Sequence, residues 1–175
     1  MAIPKTIGSE EIHAAIERLA AAISARHSTG EKLLLLGIAN GGVELARRLA
    51  KRMHAKAGTL DISFHRDDIG RNPIPKEFAP TYIPADVNGA TVILVDDVLF
   101  SGRTGKAALD ELFDHGRPAK VELAVLVERG GRLLPVAADH VGLSLEVTPQ
   151  EKVVVTLDRN DPAFDVITLE TSAKS

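Results

Sequence analysis

Cysteine and tryptophan are both missing from this 175-residue chain, and rings of any kind are few: one tyrosine and five phenylalanines. Without cysteine there is no disulfide and no thiolate metal site, which fits the cytoplasm. With so few rings, packing has to rest on Leu, Val, Ile and Ala, as in parallel-sheet proteins. No apolar run nears the roughly 20 residues that span a bilayer. The opening Met-Ala-Ile-Pro-Lys does not read as a signal peptide. A formal charge of −3 gives no global attraction to nucleic acid, so RNA contact would need a local basic patch. Two nucleotide motifs are absent as well: Gly-x-x-x-x-Gly-Lys-Ser/Thr, and Gly-x-Gly-x-x-Gly after a strand.

What is present is an ordinary globular balance, 45% apolar and 26% charged, in a length that fits one domain, 1–175, with a real core. Ser9 is placed to cap a helix, with Glu10 and Glu11 in its first turn. Ile12, Ile16, Leu19 and Ile23 repeat at spacings of three and four, which predicts an amphipathic helix. Leu33 to Leu36 reads as a short buried strand, followed by a tight Ile38-Ala39-Asn40-Gly41-Gly42 loop. Val43, Ala46, Leu49, Ala50 and Met53 then mark the inner face of a second helix. Leu60 to Phe64 reads as a strand.

Residues 66–84 break the pattern. They hold Arg66, two aspartates, Gly70 and four prolines without helical or alternating period. A loop of this length in a compact domain is usually a functional lid or disordered. Beyond it come a strand at 91–95, a helix from about Thr104 to His115 stopped by Gly116 and Pro118, and an apolar strand from Val121 to Val127. Short strands are expected near 141–147, 152–157 and 166–170. Strands alternating with helices predict an α/β fold: a central, mainly parallel sheet flanked by helices, with a small hood from terminal segments.

The segment from Thr91 to Thr104 carries the chemistry. Val92 to Val95 leads into two adjacent carboxylates, Asp96 and Asp97, and then into the small-residue turn Ser101-Gly102-Arg103-Thr104. In an open α/β sheet, ligands bind beyond the carboxyl ends of the strands. Backbone N–H groups at a helix N-terminus suit a phosphate, because donors and helix dipole point the same way. Paired acids suit vicinal hydroxyls. Together these features fit a ribose 5-phosphate; the plainer reading is a strand end followed by a helix cap.

The acids and turn resemble the phosphoribosyl diphosphate (PRPP) signature of type I phosphoribosyltransferases. More narrowly, the chain resembles the PyrR family of pyrimidine regulatory proteins with uracil phosphoribosyltransferase activity. Leu60 to Asp68, Val95 to Thr104 and Leu123 to Gly130 carry that likeness, which runs from about Ile12 to Glu170. It implies a type I phosphoribosyltransferase fold, Mg²⁺ carried by PRPP and touching Asp96 and Asp97, and dimers or larger assemblies. It assigns Asp96 and Asp97 to the ribose hydroxyls, and Val98, Leu99, Phe100, Ser101, Gly102, Arg103 and Thr104 to the 5-phosphate loop. Ala39, Asn40, Gly41 and Gly42 resemble the diphosphate loop, and Arg66, at the base of the lid, is the cation for the diphosphate.

Two departures from the family shape the expected function. Many relatives carry Arg where Gly41 stands, so diphosphate binding here leans on backbone donors, Mg²⁺ and the lid. Purine enzymes of this type place an Asp three residues after the acid pair to handle a proton at N7. Phe100 occupies that place, so uracil is preferred, with Phe100, Val127 and Arg129 at the base and UMP as product. Regulatory PyrR proteins bind leader RNA, but Glu17, Ala21, Ala137 and Leu143 replace their contacting residues, and Arg132 alone matches. Losing phosphate contacts weakens RNA binding. An enzyme making UMP is therefore favoured over a UMP-dependent RNA-binding regulator with weak activity.

Overall fold

The computed structural model describes residues 5–28, 31–68, 70 and 79–171. In chain order these form β1 (Thr6–Ile7), α1 (Ser9–Arg26), β2 (Leu33–Ile38), α2 (Val43–Met53), β3 (Lys56–Leu60) and β4 (Thr91–Leu99). There follow α3 (Arg103–Asp114), β5 (Lys120–Glu128), β6 (His140–Ser144), β7 (Glu151–Thr156), a 3₁₀ turn (Pro162–Phe164) and β8 (Val166–Thr171).

Five strands make one parallel sheet in the order β3-β2-β4-β5-β6, and β1-β8-β7 make a separate antiparallel sheet. The second sheet is the expected hood, built from both ends of the chain. A parallel sheet must be covered on both faces. Ile12, Ile16, Leu19 and Ile23 of α1, with Leu45 and Leu49 of α2, cover one face and meet Ile167 and Leu169 of the hood. Ala108 and Leu112 of α3 pack on the other, against Leu34, Val92 and Val125. The order turns between β2 and β4: one connection leads outward to β3, and the chain then returns to the other side of β2. Ligand crevices form at such a reversal.

Three local expectations are corrected. Ser9 is the first helical residue of α1, not its cap. The extended Gly8 takes the cap position and its carbonyl accepts from the Ile12 amide at 3.2 Å. The strand expected at 60–64 lies at 56–60, because its parallel pairing with β2 runs out at Ile38 opposite Leu60. There Asp61 Oδ1 accepts from the Ser63 amide at 2.9 Å, and the resulting turn leaves Phe64 80% exposed. Gly58 marks the true strand, since a Cβ there would stand 2.2 Å from the Tyr82 carbonyl oxygen. Finally, β4 continues three residues past Val95 and Asp96, so the acid pair sits inside the strand's last turn of pleat.

The proposed lid at 66–84 lies partly outside the described residues, at 69 and 71–78. Its far end is fastened: Tyr82 exchanges two 2.8 Å hydrogen bonds with Thr59, and Thr81 Oγ1 donates to Glu111 at 2.9 Å. The hood is fastened too. Buried Arg48 of α2 donates from both Nη atoms to Asp165, at 3.1 Å for Nη2 to Oδ1, and His13 Nε2 lies 3.0 Å from Asp165 Oδ2.

Candidate active site

A cavity of about 490 Å³ opens at the β2–β4 reversal. Three loops converge on it. Ala39, Asn40 and Gly41 come from the end of β2, Asp96 to Val98 from the end of β4, and Ser101, Arg103 and Thr104 from the turn into α3. Arg66 lines its remaining wall. Residues scattered over 65 positions of sequence thus share one space, because both loops leave the same ends of neighbouring parallel strands.

Close approach sets the loop after β2. A Cβ on Gly42 would stand 1.9 Å from the Val95 carbonyl oxygen, and one on Gly41 would stand 2.6 Å from the Asp97 carboxyl carbon. Only glycine lets this backbone lie against β4. Gly42 is buried beneath the loop and does not line the cavity; Gly41 does. Asn40 Oδ1 accepts from the Ala79 amide at 3.3 Å, which joins this loop to the far end of the lid segment.

Each acid of the pair folds onto the next amide: Asp97 N donates to Asp96 Oδ1 at 2.9 Å, and Val98 N donates to Asp97 Oδ1 at 2.8 Å. Their positions differ. Asp96 is buried and Asp97 half-buried. Burial first, then the neighbouring Asp97 charge, pushes the Asp96 carboxyl well above the usual range. One acid therefore holds its proton more readily than the other, and a cation or hydroxyl donor at the pair would relieve the repulsion.

At the phosphate turn, Gly102 takes φ +92 ahead of α3, a left-handed conformation suited to glycine. Ser101 Oγ accepts from the Arg103 amide at 3.2 Å, and the Lys106 amide is the first to bond back to Gly102, at 3.0 Å. The amides of Thr104 and Gly105 precede that bond and have no helical carbonyl to meet. Arg103 Nη1 donates to Asp67 at 2.5 Å, and Arg66 Nε to Asp68 at 2.9 Å, so both cations at the cavity carry acid partners from the lid's base.

The base-reading set lies elsewhere. Val127 is wholly buried in the sheet, and Leu99 is also core. Phe100 is half exposed, outside the main cavity, beside a smaller one of about 110 Å³ that Asp96, Ser101 and Gly102 share. Arg129 is buried, with its guanidinium carbon 4.1 Å above the Phe100 ring. It donates to the carbonyls of Glu151, at 2.8 Å, and Thr148, at 3.4 Å. Gly131, at φ +83, lets the next loop close on Phe100, whose ring edge would be 2.8 Å from a Cβ there. Arg132 is exposed.

Sequence reasoning missed Asp61, Ser63, Asp67 and Asp68, which also line the cavity. The first two had been read as strand, although the Asp-x-Ser spacing is itself a turn signal. Five aspartates supply hard carboxylate oxygens to the lining, and Asp96 and Asp97 each commit one oxygen to the following amide. That donor set fits Mg²⁺, which favours a few carboxylates plus substrate oxygens.

The chain is similar to known proteins over most of its length. The family described as phosphoribosyl transferase domain matches residues 8–159. A bifunctional protein PyrR from Roseiflexus sp. is 42% identical, covering 97% of this chain and 96% of its own. One from Streptomyces coelicolor is 47% identical over 86% of this chain and 81% of its own. Among solved structures, a hypoxanthine phosphoribosyltransferase from Staphylococcus aureus superposes with a TM-score of 0.69 at 24% identity, over 93% of this chain and 89% of that one. A hypoxanthine-guanine phosphoribosyltransferase from Bacillus anthracis gives 0.67 at 21% identity, over 95% and 97%. These structures share the type I fold. No helix among the described residues is long and apolar enough to cross a membrane.

Proposed function

Because this chain belongs to the PyrR family, within the wider phosphoribosyl transferase domain family, we propose that it converts uracil and PRPP to UMP and diphosphate. One observation carries the reading: the acid pair Asp96–Asp97, the turn Ser101–Thr104 and the Gly41 loop border a single cavity at the sheet's reversal. That cavity matches the two ends of a phosphorylated ribose. We take 1–175 as one such domain, working as a dimer or larger assembly.

In the reaction, uracil N1 gives its proton up to solvent water and bonds to ribose C1 while the C1–O bond to diphosphate breaks and the electron pair leaves with the diphosphate. Positive charge develops on the ribosyl ring as it does so. Asp96 and Asp97 accept from the two ring hydroxyls, and the half-buried Asp97, the more accessible of the two, faces the developing charge. Amides and hydroxyls of the Ser101–Thr104 turn hold the 5-phosphate, which fixes the sugar against rotation. Backbone donors of Asn40 and Gly41 meet the diphosphate, since the Ala39 and Gly42 amides are taken by the Leu60 and Ile38 carbonyls, with Arg66 supplying a cation once PRPP draws it from Asp68. Asp96 and Asp97 would help hold a Mg²⁺ ion brought with PRPP, which would supply charge neutralisation for the departing diphosphate. Phe100 walls the base, and Arg129, 4.1 Å from the Phe100 ring, backs that wall. No acid stands at position 100 to serve a purine N7.

The test is UMP formation from uracil, PRPP and Mg²⁺, with Asp97→Asn beside wild type. We expect turnover with uracil, little with hypoxanthine, and a loss on the order of 100-fold or more in the variant. Unchanged turnover in Asp97→Asn removes that residue from the mechanism, and equal rates with hypoxanthine remove the argument from Phe100.

The relatives' name, a bifunctional protein, favours regulation as a second role. The surface argues against RNA as its means: Glu17 is an anion that Arg52 already binds, and Arg132 is the one matching cation. Filter binding of leader RNA with and without UMP separates the roles; tight, UMP-dependent retention reverses the ranking.

A further inference from the structure

At the opposite end of the main sheet from the proposed active site, three side chains converge on one point. Glu122 lies near the start of β5, His140 opens β6 and His27 follows α1. His140 Nε2 is 2.7 Å and His27 Nε2 is 3.0 Å from the same oxygen, Glu122 Oε2. All three side chains are at most 3% exposed. The proposed reaction uses none of them.

The surrounding bonds fix what each atom offers. His27 Nδ1 lies 2.9 Å from Glu31 Oε2, and Glu31 is itself held by Thr91 Oγ1 at 2.9 Å. A proton on Nδ1 donated to Glu31 leaves Nε2 with a lone pair facing the Glu122 oxygen. In that tautomer two acceptors face each other across 3.0 Å, a gap that either a proton or a dication fills. Lys120 Nζ sits 2.7 Å from the other oxygen, Oε1, which holds the carboxylate so that Oε2 alone points inward.

We propose that His27, Glu122 and His140 bind a transition-metal dication of the Zn²⁺ type, with Glu31 as the carboxylate that orients His27. Two imidazole nitrogens and one carboxylate oxygen form a common zinc ligand set, and a fourth position is left for solvent. A histidine ligand whose other nitrogen meets a carboxylate is the usual outer arrangement of such sites. Tetrahedral Zn²⁺ with bonds of about 2.0–2.1 Å sets its ligand atoms roughly 3.3 Å apart. The present 2.7 and 3.0 Å spacings need to open by only a few tenths of an ångström, and all three atoms lie within 4.8 Å of one another. A cavity of about 670 Å³ bordered by His27 and Glu31 provides an approach.

The experiment titrates the full chain, stripped with chelator and freed of Mg²⁺, with Zn²⁺ by calorimetry and with Co²⁺ by visible absorption. One buried equivalent with a tetrahedral Co²⁺ spectrum and a Tm raised by several degrees is expected. His140→Phe should weaken binding at least about 100-fold, and Glu31→Gln, outside the ligand set, about 10-fold or more. UMP formation with Mg²⁺ should stay at the wild-type rate in both, so this test stands apart from the enzymatic reading. Should His140→Phe fail to fold, Glu31→Gln alone decides. A second, more exposed group, His65 with Glu111 and Asp114, is tested by His65→Ala. Binding lost in that variant and kept in Glu31→Gln overturns the proposal. So does a wild-type protein that takes up no stoichiometric metal, which would leave a proton as the filler between His27 and Glu122.

Discussion

Asp97 lies against the bare α-carbon of Gly41, so closely that a Cβ at position 41 would stand 2.6 Å from its carboxyl carbon. The acid fills the space a side chain would have taken. Gly42, next door, is crowded instead by backbone, 1.9 Å from the Val95 carbonyl oxygen. A short side chain can rotate away from a new methyl, whereas a strand's carbonyl cannot. Gly41→Ala should therefore keep its Tm within a few degrees and lower kcat/KM by about 10-fold through a displaced Asp97. Gly42→Ala should lose several kcal/mol of stability, roughly the cost of overpacking at a buried site, and its activity with it. Melting curves and UMP kinetics on the two variants check the contrast; equal behaviour would refute it.

Arg48 and Asp165 tie the hood to α2, and that tie makes acid stability predictable. Burial pushes the Asp165 carboxyl up, but the Arg48 guanidinium, the Asp158 amide and His13 more than reverse it, leaving it below its ordinary 3.8. An acid whose pKa falls on folding stabilises the fold fully above its unfolded value and loses that contribution as pH drops toward its folded value. Asp165→Asn should cost about 2 kcal/mol at pH 7, since the buried Arg48 loses one charged partner and keeps Glu44 and the Asp158 carbonyl. The gap between wild type and variant should hold from pH 7 to about 4 and shrink below 3.8. Urea unfolding across that range measures it.

The main frame was legible because it rests on local pattern. Ile12, Ile16, Leu19 and Ile23 announced α1, and Val92 to Val95 announced the strand that delivers Asp96 and Asp97. What escaped were features set by distant backbone. β3 was placed four residues late, since its true extent depends on where β2 stops and on the Tyr82 carbonyl lying over Gly58. Asp61 and Ser63 joined the cavity only through a turn that the strand reading had hidden. Arg129 could be assigned beside a base from its place after β5. Its actual neighbours, the Thr148 and Glu151 carbonyls, come from the hood some 20 residues on, and no spacing rule predicts them.

Arg129 is consequently expected to act through Phe100. Its guanidinium lies 4.1 Å from that ring while two carbonyls hold it in place. A buried cation with such bonds is worth about 1.5–3 kcal/mol per hydrogen bond lost. With two such bonds lost, Arg129→Met should lower Tm by roughly 6–24 °C. It should also raise KM for uracil with kcat changed less than about two-fold, because the wall beside the base loosens while the acids stay put. A raised KM at unchanged Tm would instead mark Arg129 as a direct reader of the base.

The ion pair between Arg103 and Asp67 offers a separate test of the phosphate turn. Arg103 opens α3 and Asp67 belongs to the lid's base; the pair is 2.5 Å long and about half exposed on both sides. A solvent-facing pair of this kind contributes at most about 1 kcal/mol. A substrate phosphate arriving at the turn competes with Asp67 for the same guanidinium. Asp67→Asn removes the competitor and leaves Arg103 charged, so KM for PRPP should fall, by no more than about five-fold. Arg103→Gln removes the cation and should raise it. Salt discriminates further: screening weakens exposed charge pairs, so the advantage of Asp67→Asn should fade as ionic strength rises from about 0.01 M to 1 M. A KM for PRPP that is the same in Asp67→Asn and wild type at low salt would mean that Arg103 does not meet the phosphate at all.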